Sequence, residues 1–146
     1  GQDVPEEFYV DEAALPRWQK AKGSKSEKRV HKATGFIYHY TEGALPFPDP
    51  LNKPARTILT SEGGSTPSRS KHIVAAEDGR FRRLTPVELE RLNGFPVNHT
   101  DVGMSAAQRA FCMGNALVVG LVESIGVEIA VRAGIATKER RRQRAV

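Results

Sequence analysis

The 146-residue sequence predicts an α+β fold, with short strands and loops first and three helices after them. Three observations predict it. Runs rich in β-forming residues recur at 36–40, 57–60 and 72–75, each bounded by turn formers. Pro46, Pro48, Pro50 and Pro54 remove backbone donors between the first two runs and forbid regular structure there. Beyond residue 84 the pattern changes to helix start and stop signals.

From the beginning of the chain, Phe8, Tyr9 and Val10 suggest a short strand or turn. A helical piece follows from Asp11 towards Lys20, with Pro16 near its start and Gly23 ending it. Residues 23–28 read as a polar loop, 36–40 and 57–60 as strands, and 61–70 as a flexible polar loop. A third strand at 72–75 precedes a turn at Asp78 and Gly79. Thr85, Pro86 and Glu88 then make a complete helix start: a hydroxyl cap, proline in the first turn, and a carboxylate reaching back to the cap. Gly94 stops that helix. Ser105 and Gln108 repeat the capping spacing and begin a second helix, which Gly114 is expected to end. From Ala116 onward Leu117, Val118, Leu121, Val122, Ile125 and Ile129 recur at helical spacing, while Gly120 and Gly126 permit close approach of another element. The few strands and one short helix cannot cover so wide an apolar face. Part of its packing surface is therefore expected outside the chain.

Lysine plus arginine number 22 against 17 acidic residues, a formal charge of +5, with 39% hydrophobic and 27% charged residues. This excludes a disordered tail, a collagen-like repeat and a membrane channel. The single Cys112 excludes an internal disulfide and a cysteine-based zinc cluster. No stretch approaches the roughly 18 apolar residues that cross a bilayer, and no cationic-then-apolar leader opens the sequence. The expected compartment is reducing and cytoplasmic. Charge is unevenly placed: residues 1–16 carry only acidic side chains, whereas basic ones dominate 17–34, 56–83 and the tail. Clustered Lys and Arg among Ser, Thr and Gly suit a phosphate backbone, although a solvated basic surface has the same composition. His31, His39, His72 and His99 show no i, i+4 pair, so each is expected at the surface or in a loop rather than on a metal. Cys112, between Phe111 and Met113, has the context of a core residue. These residues describe a binding piece, not a self-sufficient enzyme.

One segment is more specific. Residues 82–96, from Arg82 through Leu84, Thr85, Pro86, Glu88, Arg91, Leu92 and Gly94 to Pro96, closely resemble the late RxLTPxExxRLxGFP motif of bacterial DNA cytosine-5 methyltransferases. Further on, Gly114, Asn115, Ala116 and Leu117 resemble that family's final GNAV-type motif, with leucine in the usual valine place. Thr57 and Ile58 are similar to the Thr-aliphatic pair of its target-recognition domain, and residues 4–9 resemble the linker leading there. The resemblance reaches to about Gly134.

It implies a small loop-rich target-recognition domain followed by helices, the last packing back onto a Rossmann-like catalytic domain that the chain does not contain. The implied division is an entry segment at 1–22, a DNA-binding domain at 23–100, a helical segment at 101–134 and a basic tail at 135–146. The implied activity is methyl transfer from S-adenosylmethionine to C5 of a flipped-out cytosine, as in restriction-modification systems. Double-stranded DNA and the catalytic domain or subunit are the implied partners. Arg56, Thr57, Thr60, Ser61, Gly63, Gly64, Arg69, Ser70 and His72 become the DNA-binding candidates, with Thr57 nearest the extruded nucleotide. Asn115, Ala116 and Leu117, expected at a helix N-terminus, become the cofactor contacts. The family's Pro-Cys nucleophile, ENV glutamate and Gly-rich cofactor loop do not occur in these residues. The chain alone is therefore expected to be inactive, whether as a split subunit or as a fragment. The alternative is a stand-alone DNA-binding or regulatory module.

Overall fold

The computed structural model describes residues 4–135, so the expected basic tail lies outside the described residues beyond Ile135. Two 3-10 turns, Glu6–Phe8 and Glu12–Ala14, lead into helix α1, Leu15–Lys22. The Asp11 carboxylate accepts the Ala13 N–H at 2.9 Å, Pro16 lies in the first turn of α1, and Gly23 caps its end. Strands β1, Lys25–Val30, and β2, Ile37–Glu42, form an antiparallel ribbon registered from Lys25 opposite Glu42 to Val30 opposite Ile37. After an irregular region, β3, Ile73–Ala75, pairs with β4, Phe81–Arg83, around a turn whose Gly79 has φ +84°. Tyr9 bridges to Arg82, which ties the entry segment to β4. Three helices close the order: α2, Pro86–Leu92, α3, Ala106–Asn115, and α4, Val119–Arg132.

Both expected capping boxes form. The Thr85 hydroxyl accepts the Glu88 N–H while Glu88 accepts the Thr85 N–H, and Ser105 with Gln108 does the same. Gly94 follows α2 with φ +77°, a conformation that favours glycine. Packed between these helices, Leu89, Ala110 and Met113 form a buried core joined by Ile58, Leu84, Phe95, Cys112 and Ala116.

Several expectations change. Residues 25–28 belong to a strand and not to a polar loop, because their partner in β2 contributes the aromatic and aliphatic side chains that the charged strand lacks. Residues 57–60 form no strand, because Ile58 is drawn into the helical core and no strand edge lies alongside. Gly114 does not end α3; it sits inside the last turn, and the break follows at Ala116 (ψ 153°) and Val118 (ψ 115°). Residues 114–117 thus occupy the C-terminal end of a helix and a short extended link, not a helix N-terminus. Nothing lies within 4 Å of a Cβ built on Gly120 or Gly126, so no element among the described residues uses the close approach that they permit. Finally, Ala106–Arg132 is apolar and long enough as a stretch to match a membrane span, yet the extended link divides it into two helices, each too short to cross.

Helix α4 buries none of its residues. Leu121, Ile125 and Ile129 are 60%, 52% and 62% exposed, and the wide apolar face expected from the sequence is open along its length.

Candidate nucleic-acid interface

The region 43–72 contains no helix or strand, and its order comes from buried charge instead. Asp49 lies at the centre. One carboxylate oxygen accepts from Lys22 Nζ at 3.1 Å and from the Ile73 N–H at 2.8 Å; the other accepts from Arg56 Nε at 2.9 Å. Burial works against the Asp49 carboxylate, but Arg56, the Ile73 amide and Lys22 together hold its pKa below the ordinary value. Burial pushes the Lys22 ammonium down, partly offset by Asp49. Lys22 is 1% exposed and also donates to the Lys71 carbonyl.

Two sequence-predicted arginines complete this framework. Arg56 donates to the carbonyls of Ser70 and Lys71 at 2.9 and 3.0 Å, which joins both ends of the loop 56–71. Arg69 donates to the carbonyls of Gly23 and Gly43 and pairs with Glu42 at 3.3 Å, and so fixes the base of the β1–β2 ribbon. His72 is 3% exposed, not a surface residue: its N–H and Nδ1 meet Glu62 Oε1 at 2.7 and 3.1 Å. Lys71, 5% exposed, donates to the Thr66 carbonyl at 2.7 Å. Ser70 Oγ meets Ser68 Oγ at 3.1 Å.

The glycines explain how this region reaches the helices. A Cβ on Gly63 would lie 2.8 Å from Ala110 Cβ, so that glycine lets the loop lie directly on α3. A Cβ on Gly114 would lie 2.3–2.5 Å from backbone atoms of Leu59 and Thr60. Only a hydrogen atom fits there. The segment carrying Thr57 and Thr60 is therefore laid across α3, with Ile58 turned into the core and Thr57, Thr60, Ser61 and Gly64 exposed.

The residues 82–96 form a framework of their own. Arg82 donates twice to Glu88, at 2.8 and 2.7 Å, on the same carboxylate that closes the Thr85 cap. Arg91 is exposed and has no ion pair among the described residues. Glu90, fully buried, accepts from the N–H groups of Asn98 and Thr100 and from Arg109 at 3.0 Å. Burial raises its carboxyl, but Thr100 and the Arg109 guanidinium outweigh this and hold it down at about 2.

The three cofactor candidates lie at the α3–α4 junction. Asn115 is exposed and donates its side-chain N–H to the Phe111 carbonyl at 3.1 Å; Ala116 is half-buried and Leu117 is 71% exposed. A half-open cleft of about 320 Å³ lies between the Pro46–Arg56 stretch, Val74 and Leu92, and none of the three lines it. Among the described residues no group of three or more His, Cys, Asp or Glu is placed to hold a metal ion.

Residues 6–130 match the family described as C-5 cytosine-specific DNA methylase. The chain belongs to that family. It is also 45% identical over 127 residues to the Type II methyltransferase M.Sau3AI of Staphylococcus aureus. That alignment covers 87% of this chain and 30% of the relative, so the chain spans less than a third of the length of this methyltransferase. No solved structure matches the chain. Within this C-5 methylase chain, the sequence reading passed over Lys22, Asp49 and Glu62, whose partners are distant along the chain, and strand β1, so that the expected strand at 36–40 was left without its partner. The signal for the ribbon was present: Lys25, Glu27 and Arg29 alternate with Ser26, Lys28 and Val30 opposite a run of aromatics.

Proposed function

We propose that this chain is the DNA-recognition and cofactor-pocket-completing part of a bacterial, cytoplasmic cytosine-5 DNA methyltransferase, acting on double-stranded DNA with a catalytic domain or subunit. The observation that carries the proposal is the open apolar face of α4 next to Asn115, Ala116 and Leu117, in a family member that spans 30% of its relative. A face of this kind requires a cover, and the missing part of the enzyme is the economical one. S-adenosylmethionine, when bound, supplies the methyl group. On the side of this chain, Asn115, Ala116 and Leu117 border the cofactor. Thr57, Thr60, Ser61 and Gly64 present hydroxyls and backbone to DNA. Arg56, Gly63, Arg69, Ser70 and His72 give that loop its shape. A rigid loop suits the task, since a flipped base must be excluded from its stack while the chemistry proceeds. Cys112 packs against the Leu89 core and is not offered as the nucleophile.

The test is transfer of a labelled methyl group to duplex DNA. The chain alone should transfer none, and addition of the catalytic part should restore transfer at specific sites. A folded, mixed pair without activity overturns the proposal. Sequence-selective binding by the chain that no catalytic partner alters would instead support a stand-alone DNA-binding module.

A further inference from the structure

The β1–β2 ribbon has two unlike faces. On the inner face Glu27 pairs with Lys25 at 2.8 Å and Arg29 at 3.1 Å, and the Arg29 guanidinium lies 3.7 Å over the Tyr40 ring. That face neutralises its own charge. On the outer face stand Ser26, Lys28 and Val30, opposite Thr41, His39 and Ile37, and every one of them is exposed. The outer face carries no acidic residue, and Lys28 has no ion pair among the described residues. The tip adds exposed Lys32, also without an ion pair, and His31. Val30 and Ile37, a directly opposed aliphatic pair, are 59% and 52% exposed.

We propose that this ribbon enters the major groove of duplex DNA with its outer face towards the bases, Lys28 and Lys32 neutralising phosphates and the Val30–Ile37 pair touching base edges. The inference rests on the DNA-binding reading above and names an element that it did not include. Size supports it: two strands about 4.8 Å apart fit a groove about 12 Å wide. Six-residue strands reach about 20 Å, enough to follow several base pairs. Chemistry supports it as well. A face with cations, hydroxyls and no carboxylate attracts phosphate and repels a second copy of this basic chain, and exposed aliphatic groups are the natural contact for thymine methyls. The ribbon is held at its base through Arg69, so its outer end is free to project.

The experiment titrates the full chain with a fluorescein-labelled duplex of 30 base pairs at several salt concentrations. Three proteins are compared: wild type, Lys28→Ala with Lys32→Ala, and Arg17→Ala with Lys20→Ala as an equal-charge control on exposed positions of α1. Circular dichroism checks that each is folded. Loss of two phosphate contacts should make the slope of log K against log salt shallower by roughly 2 in the ribbon variant and leave the control unchanged. Equal losses in both variants, or none in either while wild type binds, overturn the ribbon and leave the DNA reading standing. No binding by folded wild type overturns both. Dimethyl sulfate reports the groove: wild type should protect guanine N7, and binding without that protection removes the ribbon from the major groove.

Discussion

The region 43–72 and helix α4 reverse the usual association between regular structure and burial. The former is irregular and rich in proline and polar residues, yet it buries Asp49, Glu62, Lys71 and His72 and satisfies most of their hydrogen-bonding groups internally. The latter is a regular fourteen-residue helix with a broad apolar face, yet it buries nothing. Order in this molecule follows from where partners lie, not from secondary structure. A loop with its ion pairs inside is self-sufficient; a helix whose contacts are lacking is not.

The largest expected effect tests the loop. Asp49→Ala removes the acceptor for Lys22, Arg56 and the Ile73 amide and leaves an ammonium buried without its countercharge. Loss of one partner of a buried pair costs about 3–5 kcal/mol, read as a fall in the urea midpoint. A loss below about 1 kcal/mol would mean that the loop is held by something other than this cluster. Next comes acid. Glu90 is held at about 2, below its ordinary 4.5, so its contribution is complete above pH 4.5 and is lost as pH falls towards 2. At about 1.4 kcal/mol per pH unit this amounts to about 3.5 kcal/mol. The thermal midpoint of wild type should therefore fall across that range, and Glu90→Gln should start lower and flatten the decline. The smallest effect belongs to α4. Ile125→Ser with Ile129→Ser should change the folding stability of the chain by no more than about 0.5 kcal/mol, because neither side chain is buried. The same pair should weaken association with the catalytic part. A large loss of stability in the isolated chain would show that the face is covered from within, as the buried charges of region 43–72 are.

What the sequence made legible was local. Thr85, Pro86, Glu88 and Gly94 lie within one helix and its caps, so their roles follow from spacing alone, as do Ser105 and Gln108. The exposed apolar stripe of α4 was equally readable, since periodicity is a property of one helix. The strand Lys25–Val30 was not, because its apolar complement stands on another strand. Gly114 shows a second kind of limit. A glycine near a helix end signals either a stop or a close approach, and only the position of Leu59 and Thr60 decides between them. Asp49 shows a third, since its partners at 22, 56 and 73 are brought together by the chain's path and not by any pattern. Arg56, Arg69 and His72 were found by type, but their type could not tell a group that faces a ligand from one that shapes the loop.

The grip of Arg69 on the Gly23 and Gly43 carbonyls has a consequence for how such a protein can diversify. Those two glycines lie immediately outside the ribbon's ends, and a side chain from a different segment clasps both. They bracket the hairpin. A hairpin of another length or sequence could be exchanged between them with the buried Lys22–Asp49 pair undisturbed, as the modest entropy cost of longer surface excursions allows. Recombination at positions 23 and 43 would thus alter what the molecule presents outwardly while leaving the rest of its fold inherited unchanged.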